Sequence, residues 1–267
     1  VERSILTTYR KEIWKPFILA VKRYELIQEG DKIAVCISGG KDSMLLAKLM
    51  QELQRHSKVH FETVFLVMDP GYSEVNRRKI EENAAMLNVP ITIFETDIFN
   101  VANGTDHNPC YLCARMRRGY LYSRARELGC NKIALGHHFN DVIETTVMAM
   151  FYGAQLQAML PKLHSSNFEG MELIRPMYCV HEEDITRWKN AHGLEFLQCA
   201  CRFTESCMAG DGTGVSKRQE VKQLLRQLKR DNPDIEKSVF NSIHSVCLDT
   251  MPGWKTKGEE HSFLENY

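Results

Sequence analysis

The chain has 267 residues, 34 basic and 34 acidic side chains, and a formal net charge of zero. This length suits one large α/β domain, alone or with a small appendage. The neutral balance excludes a globally basic surface, so any polyanion site must be a local cluster of lysine and arginine. No apolar run approaches the roughly 20 residues that span a bilayer. We therefore expect a soluble protein outside the membrane, and the absence of a signal-peptide pattern favours the cytoplasm.

The first predicted elements are a helix, a buried strand and a second helix. Pro16 suits a helix start, and apolar residues then recur at helical spacing to about Ile27. The β-branched apolar run Ile33–Ile37 predicts a buried strand. The next helix runs from Ser43 to about Gln54, with its apolar residues on one side. Residues 1–29 are thus predicted to form an N-terminal helical segment before the first strand.

The turn between that strand and the next helix reads Ser38-Gly39-Gly40-Lys41-Asp42-Ser43. Two glycines and a helix N-terminus present backbone N–H groups to an anion, which predicts a phosphate-binding loop. The loop is not of the Walker type, because Val35 and Asp42 stand where that motif needs Gly and Ser or Thr. Lys41 can pair with phosphate oxygens, and Asp42 suits a Mg²⁺ that bridges them. An ordinary strand-to-helix turn with two glycines is the alternative.

The alternation of strands and helices continues to about residue 150. Phe61–Met68, Ile91–Phe94 and Lys132–Leu135 are predicted strands. Asn76–Leu87 and Tyr111–Leu128 are predicted to be helices between them. This pattern predicts an α/β fold, with a doubly wound parallel sheet that is covered by helices on both faces.

A doubly wound sheet binds its ligands at the carboxyl ends of its strands. The SGGKDS turn, Asp69 and Gly136-His137 all follow such ends. Asp69 could instead form the turn that comes after it. Asp141 suits a cap for the next helix, and His138 can be explained as a satisfied, partly buried histidine.

Beyond Met150 the alternation loosens into a helical C-terminal extension. The predicted helices are Glu182–His192, Ser216–Arg230 and Ile235–Val246. We therefore divide the chain into a strand-and-helix domain over residues 30–180 and a helical part over residues 181–250. Residues 251–267 form a polar tail that we expect to be loosely held.

Nine cysteines in a cytoplasmic chain indicate metal or redox ligands more readily than disulfides. Cys110 and Cys113 form a CxxC pair at a helix start, where both sulfurs can reach one metal. Cys199, Cys201 and Cys207 could supply a further thiolate. Spacing alone leaves an iron–sulfur cluster, a zinc ion and unligated thiols open. The apolar surroundings in sequence predict core positions for Cys36, Cys130 and Cys179.

Basic residues are concentrated on two predicted helices. The helix that starts at the CxxC pair carries Arg115, Arg117, Arg118, Arg124 and Arg126, with Tyr120 and Tyr122 among them. Arginines beside aromatic rings suit phosphate contacts and base stacking in RNA, and a solvated face is the alternative. A second stripe is better explained as a solvent-exposed helix face and consists of Arg218, Lys222, Arg226 and Lys229.

Three further segments, read together with SGGKDS, carry a resemblance to a known family. They are CYLCARMRRG at Cys110–Gly119, ALGHHFND at Ala134–Asp141 and MFYG at Met150–Gly153. From about Gly30 to Val246, the chain resembles the tRNA-cytidine 2-sulfurtransferase group of the PP-loop N-type ATP pyrophosphatases. The resemblance implies the adenine nucleotide alpha-hydrolase-like fold of PP-loop ATPases, which cleave ATP between the α and β phosphates.

The resemblance also implies a set of site residues. ATP would be bound by Ser38, Gly39, Gly40, Lys41, Asp42, Ser43, Asp69, Gly136 and His137, with Asp42 as the Mg²⁺ ligand. Asp141 would assist adenylation. A [4Fe-4S] cluster would be held by Cys110, Cys113 and Cys201, with Cys199 and Cys207 as alternatives to Cys201 because the spacing there departs from the family's. The arginine-rich helix that carries the CxxC pair independently predicts contacts to RNA from Arg115, Arg117 and Arg118.

The implied activity is ATP-dependent thiolation of tRNA. The C2 oxygen of a cytidine would be adenylated, and sulfide at the open iron of the cluster would replace it. AMP and pyrophosphate would be released, an upstream sulfide or persulfide donor would supply the sulfur, and the protein could be a homodimer. Thiolation of a uridine by the same chemistry is one alternative. A non-catalytic ATP-binding iron–sulfur or zinc protein is the alternative from a different class.

Overall fold

The computed structural model describes residues 1–98, 109–197 and 216–267, with residues 109–114 and 266 described by their backbone alone. The chain divides into two compact units. The first consists of Val1–Val142 and Met159–Val215, and the second of Ile143–Ala158 and Ser216–Tyr267. In the described residues, no helix is both long and apolar enough to cross a membrane.

The first unit is built on a sheet that has six strands in the described part of the chain. The strands are β1 (Lys32–Ile37), β2 (Glu62–Asp69), β3 (Ile91–Glu95), β4 (Lys132–Ala134), β5 (Lys162–His164) and β6 (Glu172–Ile174). Their order is β3-β2-β1-β4-β6-β5, and the pairs are parallel except that β5 runs antiparallel to β6. The predicted α/β fold with a doubly wound parallel sheet is confirmed. The edge strand β5 was not predicted, because three half-exposed residues give no apolar run.

The strand order reverses at β1, because β2 and β3 lie on one side of it and β4 on the other. Such a reversal opens a crevice beyond the carboxyl ends of the two strands that flank it, which is where open α/β sheets bind ligands. The SGGKDS loop follows β1, and Gly136 comes two residues after the end of β4. The topology therefore brings these two motifs to the same crevice.

The helices of the first unit agree closely with the sequence prediction. They are α1 (Glu2–Leu6), α2 (Lys15–Arg23), α3 (Lys41–His56), α4 (Glu74–Met86), α5 (Pro109–Glu127), the start of α6 (Phe139–Gly153) and α7 (Glu182–Ala191), with a π-helical turn at Arg10–Trp14. Ser73 caps α4, since its side chain accepts a hydrogen bond from the Asn76 backbone N–H. The first predicted helix ends at Arg23 instead of Ile27, because Glu25 adopts a positive φ of 49°.

Alternate residues of β1 enter the cores on opposite faces of the sheet. Val35 packs into the cluster that contains Leu46 of α3 and Trp188 of α7. Its neighbour Ala34 packs into the cluster that contains Tyr122 of α5. This period of two is the signature of a strand with both faces buried.

The cluster that contains Ala34 and Tyr122 also contains other residues for which the sequence suggested a role. Tyr122 is buried and stacks on Phe168 with 5.2 Å between ring centroids, so the suggestion that it stacks on RNA bases is wrong. Cys36 and Cys130 are buried in the same cluster, as predicted. Cys179 is partly buried, and burial raises the pKa of its thiol to about 11.

The second unit contains two predicted helices and a hairpin. The part of α6 from Ile143 belongs to it, followed by α8 (Lys217–Asp231) and α9 (Ile235–Ser242). Strands β7 (Gly253–Thr256) and β8 (Glu259–Ser262) pair antiparallel where the sequence predicts loosely held residues. Lys257 and Gly258 between them both have positive φ, which is the geometry of a tight hairpin turn. The helices are confirmed, although α9 ends four residues before Val246.

Candidate functional site

The SGGKDS loop is held in place by contacts to its glycines. Gly39 has a φ of +83°, and a Cβ there would lie 2.7 Å from Cγ1 of Ile80 and 3.0 Å from Cδ1 of Leu197. Its carbonyl accepts a hydrogen bond from the Leu197 N–H at 3.2 Å. Both the backbone conformation and the lack of space therefore require glycine at this position.

Ser43 ties the two ends of the loop together. Its Oγ accepts a hydrogen bond from the Ser38 N–H at 3.1 Å and donates one to the Gly40 carbonyl at 2.9 Å. From the neighbouring strand end, Gly136 approaches so closely that a Cβ would lie 3.1 Å from the Ser43 nitrogen. The loop is thus preformed by its own side chain and by a second glycine. A nucleotide contact from Ser43 itself stays a prediction.

Lys41 is held by two carboxylates at the start of α3. Its Nζ lies 3.1 Å from both carboxylate oxygens of Asp42 and 3.4 Å from Oε1 of Glu182. Burial disfavours the charged form of Lys41, but the two carboxylates outweigh it and raise the pKa of the amine. Lys41 is therefore a cation at neutral pH, and it can exchange carboxylate oxygens for phosphate oxygens without changing its protonation.

Asp42 retains unused capacity to accept a cation. Its Oδ1 is buried and, among the described residues, accepts no hydrogen bond of acceptable geometry, although the Lys41 amine lies nearby. In the part of the chain that the structure describes, no three His, Cys, Asp or Glu side chains are grouped to hold a metal alone. A single carboxylate with a spare oxygen fits Mg²⁺, which binds through one or two carboxylates and the phosphates of its substrate.

His138 lies between two acidic residues of the site. Its Nε2 is 3.8 Å from Oδ1 of Asp42, and its Nδ1 is 3.4 Å from Oδ2 of Asp141. The carboxylate of Asp141 also accepts the His138 backbone N–H at 3.0 Å, which gives Asp141 the capping role that the sequence left open. His138 is buried, as the sequence suggested, and its contact with both carboxylates is what the sequence reading missed. A part for Asp141 in adenylation stays a prediction.

Asp69 forms the turn after β2. Its Oδ1 accepts backbone N–H groups from Gly71 at 2.9 Å and Tyr72 at 2.7 Å, and its Oδ2 lies 3.4 Å from Nη1 of Arg77. This is the turn-forming alternative considered above. Met68 and Tyr72, which lie close to this turn in sequence, line a cavity at the carboxyl ends of the strands. A nucleoside contact by Asp69 itself stays a prediction.

A cavity of about 630 Å³ lies at the carboxyl ends of β1, β2, β4 and β6. One side carries the loop and the strand-end groups, namely Ser38, Asp42, Ser43, Gly136, His137 and Asp141. Apolar side chains such as Met68, Leu121 and Leu135 line another part of it. A cavity with anion-binding backbone on one side and apolar walls suits a nucleotide, whose phosphates and base need these two environments.

The predicted RNA-binding arginines are divided by the structure. Arg117 and Arg118 of α5 line the cavity, whereas Arg115 of the same helix is not among its lining residues. Arg124 pairs with Glu127 at 2.8 Å on the surface. Arg175 also lines the cavity and was missed. It directly follows an apolar strand, so the rule that placed the loop at a strand end could have found it.

The predicted cluster ligands fall mostly outside the described residues. Cys110 and Cys113 lie in the first turns of α5, and their side chains are outside the described part. Cys199, Cys201 and Cys207 also lie outside it. Cys36 borders the cavity, but burial raises the pKa of its thiol to about 12, so it is a neutral core residue.

The loop after β1, the reversed strand order and the cavity define a nucleotide-binding protein of the PP-loop class, and the family model for the PP-loop domain matches residues 10–201. The tRNA-cytidine(32) 2-sulfurtransferase of Citrifermentans bemidjiense is 32% identical over 92% of this chain and 93% of its own. That of Cellvibrio japonicus is 37% identical over 85% of this chain and 73% of its own. The chain belongs to this family of sulfur-transferring PP-loop enzymes.

A solved structure shares the fold. The U34-tRNA thiolase NcsA from Methanococcus maripaludis, solved with its [4Fe-4S] cluster, superposes with a TM-score of 0.67 at 19% identity. The match covers 86% of this chain and 76% of NcsA. At that identity the likeness shows that the two proteins share a fold.

Proposed function

We propose that this protein is an ATP-dependent tRNA thiolase that replaces the C2 oxygen of a cytidine with sulfur. The observation that carries the proposal is one cavity that joins the preformed loop and Asp42 to Arg117 and Arg118 of α5. The same helix starts with the CxxC pair. Relatives of the same family named tRNA-cytidine(32) 2-sulfurtransferases support cytidine as the nucleoside.

The chemistry divides into two balanced steps. The cytidine C2 oxygen attacks the α-phosphorus of ATP, the bond to the bridging oxygen breaks, and pyrophosphate leaves. A sulfur nucleophile then attacks C2, and AMP leaves with the original oxygen. Activation is needed because the oxygen of an amide-like carbonyl is a poor leaving group, and the adenylate makes it a good one.

Several residues of this chain would serve the first step. Lys41 would exchange Glu182 for phosphate oxygens, which compensates the charge of the triphosphate. Asp42 would hold Mg²⁺ through its spare oxygen. His138, which lies between the carboxylates of Asp42 and Asp141, would hold both of them in position. Arg117 and Arg118 would position the RNA through its phosphates.

The second step needs a sulfur source. We propose that Cys110 and Cys113 hold a [4Fe-4S] cluster with Cys201, and that Cys199 and Cys207 are the alternatives for the third ligand. Three thiolates would leave one iron without a protein ligand, and the cluster would supply sulfur at the sulfide level. An upstream donor would provide it as sulfide, or as a persulfide together with a two-electron reductant. The cluster in NcsA and the CxxC at the start of α5 support this part of the proposal.

Nucleoside mass spectrometry of tRNA from cells that lack the protein tests the substrate. We expect 2-thiocytidine to be absent and 2-thiouridine to be unchanged. Loss of 2-thiouridine alone would identify the uridine enzyme instead. If every thionucleoside is unchanged, and purified protein binds ATP without releasing AMP in the presence of tRNA, the non-catalytic alternative is correct.

Iron analysis of protein purified without oxygen tests the cluster. About four irons per chain are expected, and Cys110→Ala, Cys113→Ala and Cys201→Ala should each lose most of them. Cys36→Ala is the control, because that thiol is neutral and buried. Stoichiometric zinc would contradict the cluster, whereas iron loss in Cys199→Ala but not in Cys201→Ala would change only the third ligand.

A further inference from the structure

Three guanidinium groups line the cavity from two different elements. Arg117 and Arg118 belong to α5, and Arg175 directly follows β6. Because β6 pairs with β4 in parallel, Arg175 lies on the same edge of the sheet as Gly136. Arg175 and the phosphate-binding loop therefore line the same cavity, and the mechanism above does not use Arg175.

Two of these arginines have donors that the protein does not use. The Nε atoms of Arg117 and Arg175 are buried and, within the described residues, donate no hydrogen bond. Arg175 is anchored through its Nη1, which donates to the Leu160 carbonyl. A buried N–H without an acceptor is unfavourable, and a fixed guanidinium with spare donors matches an oxyanion.

The pKa of the Arg175 guanidinium is consistent with a cation that binds an anion. Burial lowers the pKa of its guanidinium to about 10, against the opposing effects of Tyr178 and Tyr122. The nearby Arg118 lowers it further, and Asp141 raises it. Arg175 thus remains charged at neutral pH although a second cation is close.

We propose that Arg117 and Arg175 form a second oxyanion subsite, which binds a phosphate group in the same cavity as the SGGKDS loop. The phosphate is either the α-phosphate of ATP, which is retained in AMP, or a phosphodiester next to the bound cytidine. The first source needs only a PP-loop nucleotide site. The second rests on the proposed function.

The test compares Arg175→Gln, Arg117→Gln and the wild-type protein in two binding assays. Arg78→Gln is the matched control, because Arg78 is an exposed arginine of α4 and not among the residues that line the cavity. AMP binding, measured by calorimetry without RNA, reports the α-phosphate. Binding of an unmodified tRNA transcript over a range of salt concentrations, without nucleotide, reports the phosphodiester.

If the subsite binds the α-phosphate, both cavity variants should weaken AMP binding by about tenfold or more, and Arg175→Gln should leave tRNA binding unchanged. If it binds RNA, tRNA affinity should fall and the salt dependence should decrease by about one phosphate contact. Arg78→Gln should match wild type for AMP. Wild-type affinity for both AMP and tRNA in Arg175→Gln would overturn the proposal.

Arg175→Lys covers the case in which the glutamine variant does not fold. Lysine keeps the charge but lacks the planar guanidinium and its Nε–H, so it should restore only part of the affinity. A lysine variant that equals wild type in both assays would also overturn the subsite. If AMP binding depends on Arg175 while tRNA thionucleosides are unchanged in cells, the subsite stands and the proposed function fails.

Discussion

Buried charged side chains lie at both ends of the strands in the central sheet, but they find their partners differently. The amino edge is the end at which the parallel strands begin, and the carboxyl edge is the end at which they finish. At the amino edge, the Lys132 amine lies 2.8 Å from Asp31, 3.2 Å from Glu172 and 3.1 Å from the Leu26 carbonyl. Asp31 in turn accepts from the Gln28 N–H at 2.7 Å. The protein itself therefore supplies this lysine with one hydrogen-bond acceptor and two ion-pair partners, which makes the amino edge a structural network.

The carboxyl edge has spare donors and acceptors instead. Asp42 Oδ1 and the Nε atoms of Arg117 and Arg175 are buried without hydrogen bonds from or to the described residues. An unsatisfied buried group is costly, so its presence at three positions around one cavity indicates that a ligand completes the arrangement. The difference between the two edges is that the described protein supplies partners for the buried cation at the amino edge, whereas three buried atoms around the cavity at the carboxyl edge have none.

The largest effect is expected from the amino edge. Lys132→Met should lower the free energy of unfolding by about 3–5 kcal/mol, because Asp31 and Glu172 would lose their buried cation. Lys32→Met is the control, since Lys32 also begins a strand but pairs with the exposed Glu62 at 3.5 Å. It should cost no more than about 1 kcal/mol. Equal losses in chemical denaturation would contradict the comparison.

The next effect belongs to the carboxyl edge and should appear in activity instead of stability. Lys41→Ala and Asp42→Ala should each reduce tRNA-dependent pyrophosphate release by about 100- to 1000-fold, since each removes charge stabilisation of the phosphates. Melting should change little, because both side chains are partly exposed in the first turn of α3. Near-normal pyrophosphate release in either variant would show that the loop roles are assigned wrongly.

These two edges also show what the sequence can and cannot predict. The fold was predictable because apolar runs alternate with amphipathic helices, and the loop was predictable because SGGKDS is contiguous. Arg175 and Glu182 reach the site from positions more than 130 residues after the loop, so only the strand order brings them there. The β7–β8 hairpin was missed because its turn is Lys257-Gly258, which lacks the Asn or Asp usual before glycine.

A smaller effect tests whether the loop must keep its position. In Gly136→Ala the new Cβ would lie 3.1–3.2 Å from the backbone of Asp42 and Ser43, which must then move by a few tenths of an ångström. We expect kcat/KM for ATP to fall by about tenfold, because the phosphate-binding groups are displaced. Gly153→Ala is the control, since its Cβ would meet nothing within 4 Å. Unchanged kinetics in Gly136→Ala would show that the loop tolerates the shift.

The smallest effect comes from a structural pair that lies away from both edges of the sheet. Lys48 is fully buried in α3 and donates hydrogen bonds to Glu2, to the Gln51 side chain and to the Leu87 carbonyl. The bond from Lys48 is the main cause that lowers the pKa of Glu2 from its ordinary value of 4.5, with burial opposing it. If a buried charge whose partners all belong to the protein has a structural role, replacing Lys48 or Glu2 should change the stability of the protein and leave ATP cleavage unchanged.

Its pH dependence has a definite sign. Because the folded pKa of Glu2 is the lower one, its contribution to stability is present above the unfolded pKa and is lost as pH falls through the folded value. Glu2→Gln should therefore lower the melting temperature near neutral pH, and the difference from wild type should shrink as the solution is acidified below pH 4.5. In a Lys48→Met background, Glu2→Gln should lose this pH dependence. A difference that stays constant with pH, or persists without Lys48, would show that Glu2 stabilises α1 by other means.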